Sequence, residues 1–365
     1  MSDEYLFNRR TFLQAAAATT AGLALGPTAR AKDGPVKFGE GKMTFTLDDN
    51  WGKLPAGMNY GLGCAVVVDG KDRIYVTSRS PNACVVIFDQ QGKILETWTK
   101  DIKDRIGYDQ NQYVATAHGL YWSKEGDAEY LYWTENVAGA KGKEKLGARV
   151  YKTDLAGKIL YQLGNVKEES STAQKFDFTN PTDVAVAPNG DIYIVDGYGS
   201  QLVHRFDKNF KLIKTIGGRG KENGKFNTCH GVWVNTIKKE PELYIADRHN
   251  DRVQVFSMDM EFKRIVNGVR NPCCFYQHAG HLYIPDLAAR LTVLDENDKV
   301  VTHLGDGLEV RKTEKDAGKM SSVLAPAHPE LFFTPHALTL DSKGDLYVVE
   351  WLANGRARKL KHTPA

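Results

Sequence analysis

Three of the chain's ten histidines share one local setting: His118 in AHGLYW, His230 in CHGVWV and His336 in PHALTL, each just ahead of an apolar run. Residues 118 and 230 lie 112 positions apart, and residues 230 and 336 lie 106 apart. Three convergent imidazoles with an open fourth position form a zinc arrangement of the catalytic kind. A lone histidine before a strand is ordinarily core or surface; the shared spacing is what asks for one metal. A second setting recurs after a later apolar run: Arg79 in YVTSRS, Tyr198 in IVDGYGS and Arg248 in IADRHND. A phenol beside a divalent cation and two guanidinium groups should have a lowered pKa, because each positive charge favours the phenolate, which could then serve as a base. The plainer alternative for each arginine is an ion pair with an acid on a neighbouring repeat.

Residues so far apart meet only if the chain repeats itself. From residue 60 onward a unit of about 40 residues recurs, built of apolar strands joined by turns rich in Asp, Asn and Gly. Its clearest copies are PTDVAVAPNGDIYIVDGYGSQLVHRFDKNFKLIKTIG from Pro181 and HGVWVNTIKKEPELYIADRHNDRVQVFSMDMEFKRIV from His230. Weaker copies begin at Cys64, His118, Pro272 and His336. Six units of four short strands, with no long helical pattern between them, specify an all-β, six-bladed β-propeller. The histidines then belong to blades two, four and six and stand about 120° apart at the mouth of the central channel. The loops bearing Arg79, Tyr198 and Arg248 fall on the same face. The sixth unit lacks an outer strand, and FGEGKMTFTLDDNW at residues 38–51 alternates as a strand that would close the ring. Insertions at 100–112, 141–147 and 309–331 read as polar or Gly/Pro-rich connections on the faces of the disc. Asp196, Asp247 and Asp286, which recur at strand ends, read as acids that brace loops.

The net charge of +3, from 48 Lys and Arg against 45 Asp and Glu, is too small to point to nucleic acid, and no basic run stands out. Residues 1–31 differ in kind: Arg9 and Arg10 precede an Ala-rich apolar run and then Ala29-Arg30-Ala31. That pattern is a twin-arginine (Tat) export signal, too short to span a membrane, so the mature propeller should start near Lys32 in the periplasm or outside the cell. The expected partner at this end is the Tat export machinery, with no membrane association in the mature form. Export in a folded state suits a metal acquired beforehand. Of the five cysteines, Cys64 and Cys84 could pair, while Cys273 and Cys274 read as space-filling.

The repeats resemble NHL repeats, and from Asn180 to Phe256 the chain resembles the peptidyl-α-hydroxyglycine α-amidating lyases. PTDVAVAPNGDIYIVDGYGS, FNTCHGVWV and ELYIADRHNDRVQVF follow that family's DGY segment, zinc histidine and ADR segment in order. The resemblance implies zinc on His118, His230 and His336, a catalytic tyrosine at Tyr198 and active-site arginines at Arg248 and Arg79. It further implies a substrate, small or peptidic, with a C-terminal α-hydroxyglycine-like group, cleaved to an amide and glyoxylate. Zinc would bind the hydroxyl, Tyr198 take its proton and an arginine hold the carboxylate. Thr334 stands where the family usually has Met, Gly199 where it has a disulfide cysteine, and Ala337 where an Asp helps hold a calcium. For calcium, the second metal the resemblance implies, the Leu120 carbonyl is the retained donor. The competing readings are a non-catalytic NHL propeller that binds a protein or small ligand, and a propeller hydrolase of the lactonase or esterase type. The first has no need of three histidines in phase, and the second would line the channel with oxygen donors.

Overall fold

A strand covered on both faces reads as a nearly continuous apolar run, and such runs mark the second strand of most repeats. Ile74–Ser78, Ile192–Asp196, Glu242–Asp247 and Leu346–Glu350 are buried along their whole length. The outermost strands keep a wet face, as in Leu212–Gly217, where no residue is fully buried.

The computed structural model describes residues 34–138, 145–313 and 324–364. The export signal expected at 1–31 lies outside them, as do parts of the connections at 141–147 and 309–331. Six sheets follow one another along the chain, each antiparallel from its inner strand outward. Their inner strands are Gly63–Val68, Ala117–Glu125, Asp183–Val186, Cys229–Asn235, Tyr276–His278 and Pro335–Leu340, and these are called blades 1 to 6 below. The expected propeller is therefore the observed one. Its closure is also as expected: Phe45–Asp48 pairs antiparallel with Arg356–His362, and Lys37–Phe38 pairs outside it. The N-terminal segment thus supplies the outer strands of blade 6 and closes the ring from that side.

Two features depart from the repeat. Ala173–Lys175 adds a fifth, parallel strand to blade 2. The connection at 100–112 is no polar loop: it forms helices Ile102–Ile106 and Gln110–Thr116, whose Ile102, Ile106 and Tyr113 are buried in the core shared by blades 1 and 2. Asp109 starts the second helix with a capping box to Gln112, and the helix runs straight into the strand carrying His118. Among the described residues no helix is long and apolar enough to cross a membrane. Cys64 and Cys84 do not pair, because both are free thiols, as are the other three cysteines.

Candidate metal centre

The three histidines turn inward because their strands slip register at these positions. Pairing steps from Ala117↔Glu135 to Gly119↔Thr134, and from Pro335↔Glu350 to Ala337↔Val349, so His118 and His336 are skipped. In blade 4 it steps from Cys229↔Asp247 to Val232↔Ile245 around His230. A bulge re-aims the side chain it carries. Each ring then meets a main-chain carbonyl of the following blade. His118 Nδ1 donates to Thr182 O at 2.7 Å, His230 Nδ1 to Cys273 O at 2.8 Å, and His336 Nδ1 to Cys64 O at 2.6 Å. A carbonyl can only accept, so this network places the proton on Nδ1 and leaves Nε2 as a lone pair. Cys273 is more than space-filling because its thiol also bonds to Arg248.

The ring centroids form a nearly equilateral triangle with sides of 4.8, 5.1 and 5.0 Å. One nitrogen from each histidine lies within 4.8 Å of the others, and all three side chains are buried. Burial holds His118 and His230 well below the ordinary imidazole pKa and takes His336 down to about 3, with Arg79 or Arg248 adding repulsion to each. Three neutral imidazoles, each oriented by a second partner and presenting an unprotonated Nε2, are a donor set that fits zinc.

Above this triangle a second position recurs in all six blades. The N–H of the residue after the second strand bonds back to the carbonyl two residues before the histidine register: Arg79 to Leu62, Asn136 to Thr116, Arg248 to Thr228, Leu287 to Asn271 and Trp351 to Thr334, at 2.7–3.0 Å. Blade 3 makes the same contact from Tyr198 to Asn180 at 3.4 Å, one residue later than the others. Gly197 takes up the extra residue, and a Cβ there would overlap the Cys229 carbonyl oxygen. The crown over the histidines is therefore Arg79, Asn136, Tyr198, Arg248, Leu287 and Trp351. The strand-end acids hold its loops as expected. Asp196 accepts from the Thr179 and Asn180 N–H groups, Asp247 from Asn227 N and Arg252, and Asp286 from Thr292 and Arg290.

Tyr198 and Arg248 reach the centre. The Tyr198 hydroxyl lies 3.3 Å from His118 Nε2, 3.0 Å from His230 Nε2 and 3.1 Å from Arg248 Nη1. Burial raises its phenol pKa and outweighs the pull of Arg248 and Arg79, which act in the expected direction; a divalent cation beside it would add a further lowering charge. Arg79 stands at the rim. Its Nε donates to Ala117 O at 2.9 Å, its Nη2 donates to Asn136 Oδ1 at 3.0 Å, and its guanidinium carbon sits 4.9 Å from the Trp351 ring. Trp351 in turn lies 4.8 Å from His336, tilted by 33°. Neither Arg79 nor Arg248 forms an ion pair with a described carboxylate. Arg248 is 7% exposed, and its Nε has no hydrogen-bond partner among the described residues. Reading residue types in isolation passed over Asn136, Leu287 and Trp351; the residue that follows the second strand of each repeat was the signal available.

Known proteins agree with this architecture. Residues 178–206, which include Tyr198, match the NHL repeat family model. The chain carries an NHL repeat. Human NHL repeat-containing protein 3 is 28% identical over 221 residues, 60% of this chain and 58% of that protein. A probable peptidyl-α-hydroxyglycine α-amidating lyase of Caenorhabditis elegans is 33% identical over 142 residues, 38% of this chain and 36% of that one. The chain thus spans little more than half the length of the first relative and about a third of the second. A solved gluconolactonase of Xanthomonas campestris superposes with a TM-score of 0.55 over 93% of this chain and 98% of that one, at 11% identity, which speaks for the propeller fold.

Proposed function

We propose that this chain is a zinc-dependent lyase that cleaves the C–N bond of an N-acyl- or peptidyl-α-hydroxyglycine, giving an amide and glyoxylate. The observation that carries the reading is Arg248, a buried guanidinium without an acidic partner, bonded to the phenol that bridges two of the three histidines. A cation buried without a counter-charge is costly, so a site that keeps one calls for an anionic ligand. Similarity to an amidating lyase in C. elegans supports the same reading.

His118, His230 and His336 would hold the metal through Nε2. Zinc bound there would supply a Lewis acid and a divalent charge. Arg248 and the unused N–H groups of Arg79 suit a carboxylate, whose two oxygens a planar guanidinium can grip in parallel. The Tyr198 oxygen, bonded to Arg248 and beside the histidine nitrogens, would act as a phenolate favoured by the added charge of the metal, and in that form could take the proton of a substrate hydroxyl. That proton leaves oxygen as the carbonyl of glyoxylate forms, the C–N bonding pair passes to nitrogen, and nitrogen is protonated to the amide. No oxidant or added water is needed. Asn136 holds Arg79 toward the centre, and the carbonyls of Thr182, Cys273 and Cys64 keep the imidazoles aimed. A calcium held by the Leu120 carbonyl would lack the carboxylate that Ala337 replaces, a poor donor set for a cation that takes oxygen ligands.

The test is glyoxylate release from N-acetyl-α-hydroxyglycine by zinc-loaded protein. Release abolished in His230→Ala and reduced in Tyr198→Phe, mainly through kcat, is the expected result. Zinc-loaded protein that binds the substrate yet releases no glyoxylate would overturn the reading.

A further inference from the structure

The central channel holds a second set of groups that the metal site does not use. Beyond the histidines it widens into a cavity of about 710 Å³, with His118, His230 and His336 at its inner end and Lys208 and Thr236 at its outer mouth. One residue of each inner strand pairs with a tyrosine of the second strand, and this shared register is Val67, Tyr121, Ala185, Trp233, Tyr276 and Thr339. Blades 2, 4 and 5 thus bring three aromatic rings to one level of the channel. All three are half-buried and line the cavity. Tyr121 meets Trp233 with ring centroids 5.6 Å apart, and Trp233 meets Tyr276 at 5.7 Å. The first contact reaches past blade 3, whose residue at this level is the small Ala185. The polar tips are engaged elsewhere: the Tyr121 hydroxyl donates to Val186 O at 3.3 Å, Trp233 Nε1 donates to Gln277 Oε1 at 3.3 Å, and the Tyr276 hydroxyl bonds to Thr339. What they leave to the cavity is ring surface.

Asp183 lines the same cavity, two residues nearer the histidines along its strand. Ala65, Gly119 and Ala337 share its level and are small, and a Cβ at Gly119 would stand 3.2 Å from Asp183 Oδ1. Its Oδ2 accepts from Val232 N at 3.1 Å, and no basic side chain among the described residues pairs with it. Burial takes its carboxyl pKa up to about 7. Burial also raises the Tyr121 phenol and the Cys274 thiol, and the Asp183 charge adds to both shifts, as it must if it stands near them. A carboxylate without a counter-charge asks for a cation, and rings whose polar atoms are already bonded attract one through their faces. A quaternary ammonium has no N–H group to satisfy, whereas a primary one would turn N–H donors toward rings that accept them weakly.

We infer that Asp183, Tyr121, Trp233 and Tyr276 form a binding site for a quaternary ammonium ion, entered from the face of the disc opposite the crown. The site does not depend on the lyase reading. Lys124 and Lys208 at the mouth are exposed, so water and salt screen their charge. Asp183 stands between the level of the histidines and that of the rings, which puts the carboxylate between the ammonium and a metal on the histidines.

The experiment is calorimetric titration of the full chain with choline and with its neutral carbon isostere, neopentyl carbinol, in wild type, Asp183→Asn and Trp233→Leu. Asparagine at 183 keeps an acceptor for the Val232 N–H. The expected result is saturable choline binding by wild type, weaker by about tenfold or more for the isostere and in each variant, with urea midpoints recorded alongside. Absence of saturable choline binding by wild type would overturn the site. Equal affinity for the isostere, or choline binding that survives both substitutions, would overturn it as well. The isostere comparison needs no variant, so a substitution that unfolds the chain still leaves the test decisive.

Discussion

Replacing Arg248 by methionine should leave the fold about as stable as before and disable the site. The side chain is 7% exposed, has no ion-pair partner among the described residues and leaves its Nε unbonded. Exchanging buried ionic groups for apolar ones of similar volume gains about 1–4 kcal/mol where the charge is poorly compensated. Against this stand the charge-assisted Nη1 bond to Tyr198, worth about 1.5–3 kcal/mol, and a contact with the Cys273 thiol. The expected balance lies near zero, between a loss of about 2 and a gain of about 2.5 kcal/mol, seen as a urea midpoint close to wild type in zinc-free protein. A carboxylate ligand, by contrast, loses a charge-assisted hydrogen bond worth about 1.5–3 kcal/mol. That corresponds to about 10- to 150-fold in kcat/KM for N-acetyl-α-hydroxyglycine, or in affinity for N-acetylglycine. Urea unfolding and ligand titration on one preparation read both quantities. A variant destabilised by more than about 2 kcal/mol that still bound the carboxylate normally would refute the reasoning, since it would make Arg248 a structural cation.

Two further outcomes follow from the same geometry. The folded-state pKa values of His118, His230 and His336 lie below the ordinary value of about 6.5, so the unfolded chain takes up protons first as pH falls. Stability of the zinc-free protein should be full above about pH 6.5 and decline toward pH 3, by up to roughly 1.4 kcal/mol per pH unit for each histidine; urea midpoints that stayed level between pH 6.5 and 4 would contradict this. In Gly231→Ala the new Cβ would overlap the Cys273 carbonyl oxygen that holds His230 Nδ1. Zinc affinity measured by chelator competition should fall about 10- to 100-fold there, whereas wild-type affinity would show that the carbonyl can yield.

Much of the site was legible because a repeat converts position in sequence into angle around an axis. The period of the strands fixed six blades, and equal phase placed His118, His230 and His336 on alternate blades, facing one another across the channel. The same register carried Tyr198 and Arg248 to the centre and Phe45–Asp48 to the seam. None of this required knowledge of contacts, because a closed ring of similar units has one arrangement. What the sequence left out depended on surroundings that side-chain identity does not encode. The carbonyls of Thr182, Cys273 and Cys64 orient the imidazoles, yet every residue has a carbonyl, and only the packing of adjacent blades selects these three. The Tyr198 phenol turned out raised because burial, a property of the whole fold, outweighed the two nearby charges that the sequence did reveal. Leu287 and Trp351 acquire meaning only from standing in one crown with the arginines. Ile102, Ile106 and Tyr113 turned an expected polar loop into two helices because a core was available to bury them. Repetition in the chain determined which residues would meet; dielectric, backbone partners and the membership of the crown were decided by tertiary packing, since each is a property of what surrounds a group rather than of the group itself.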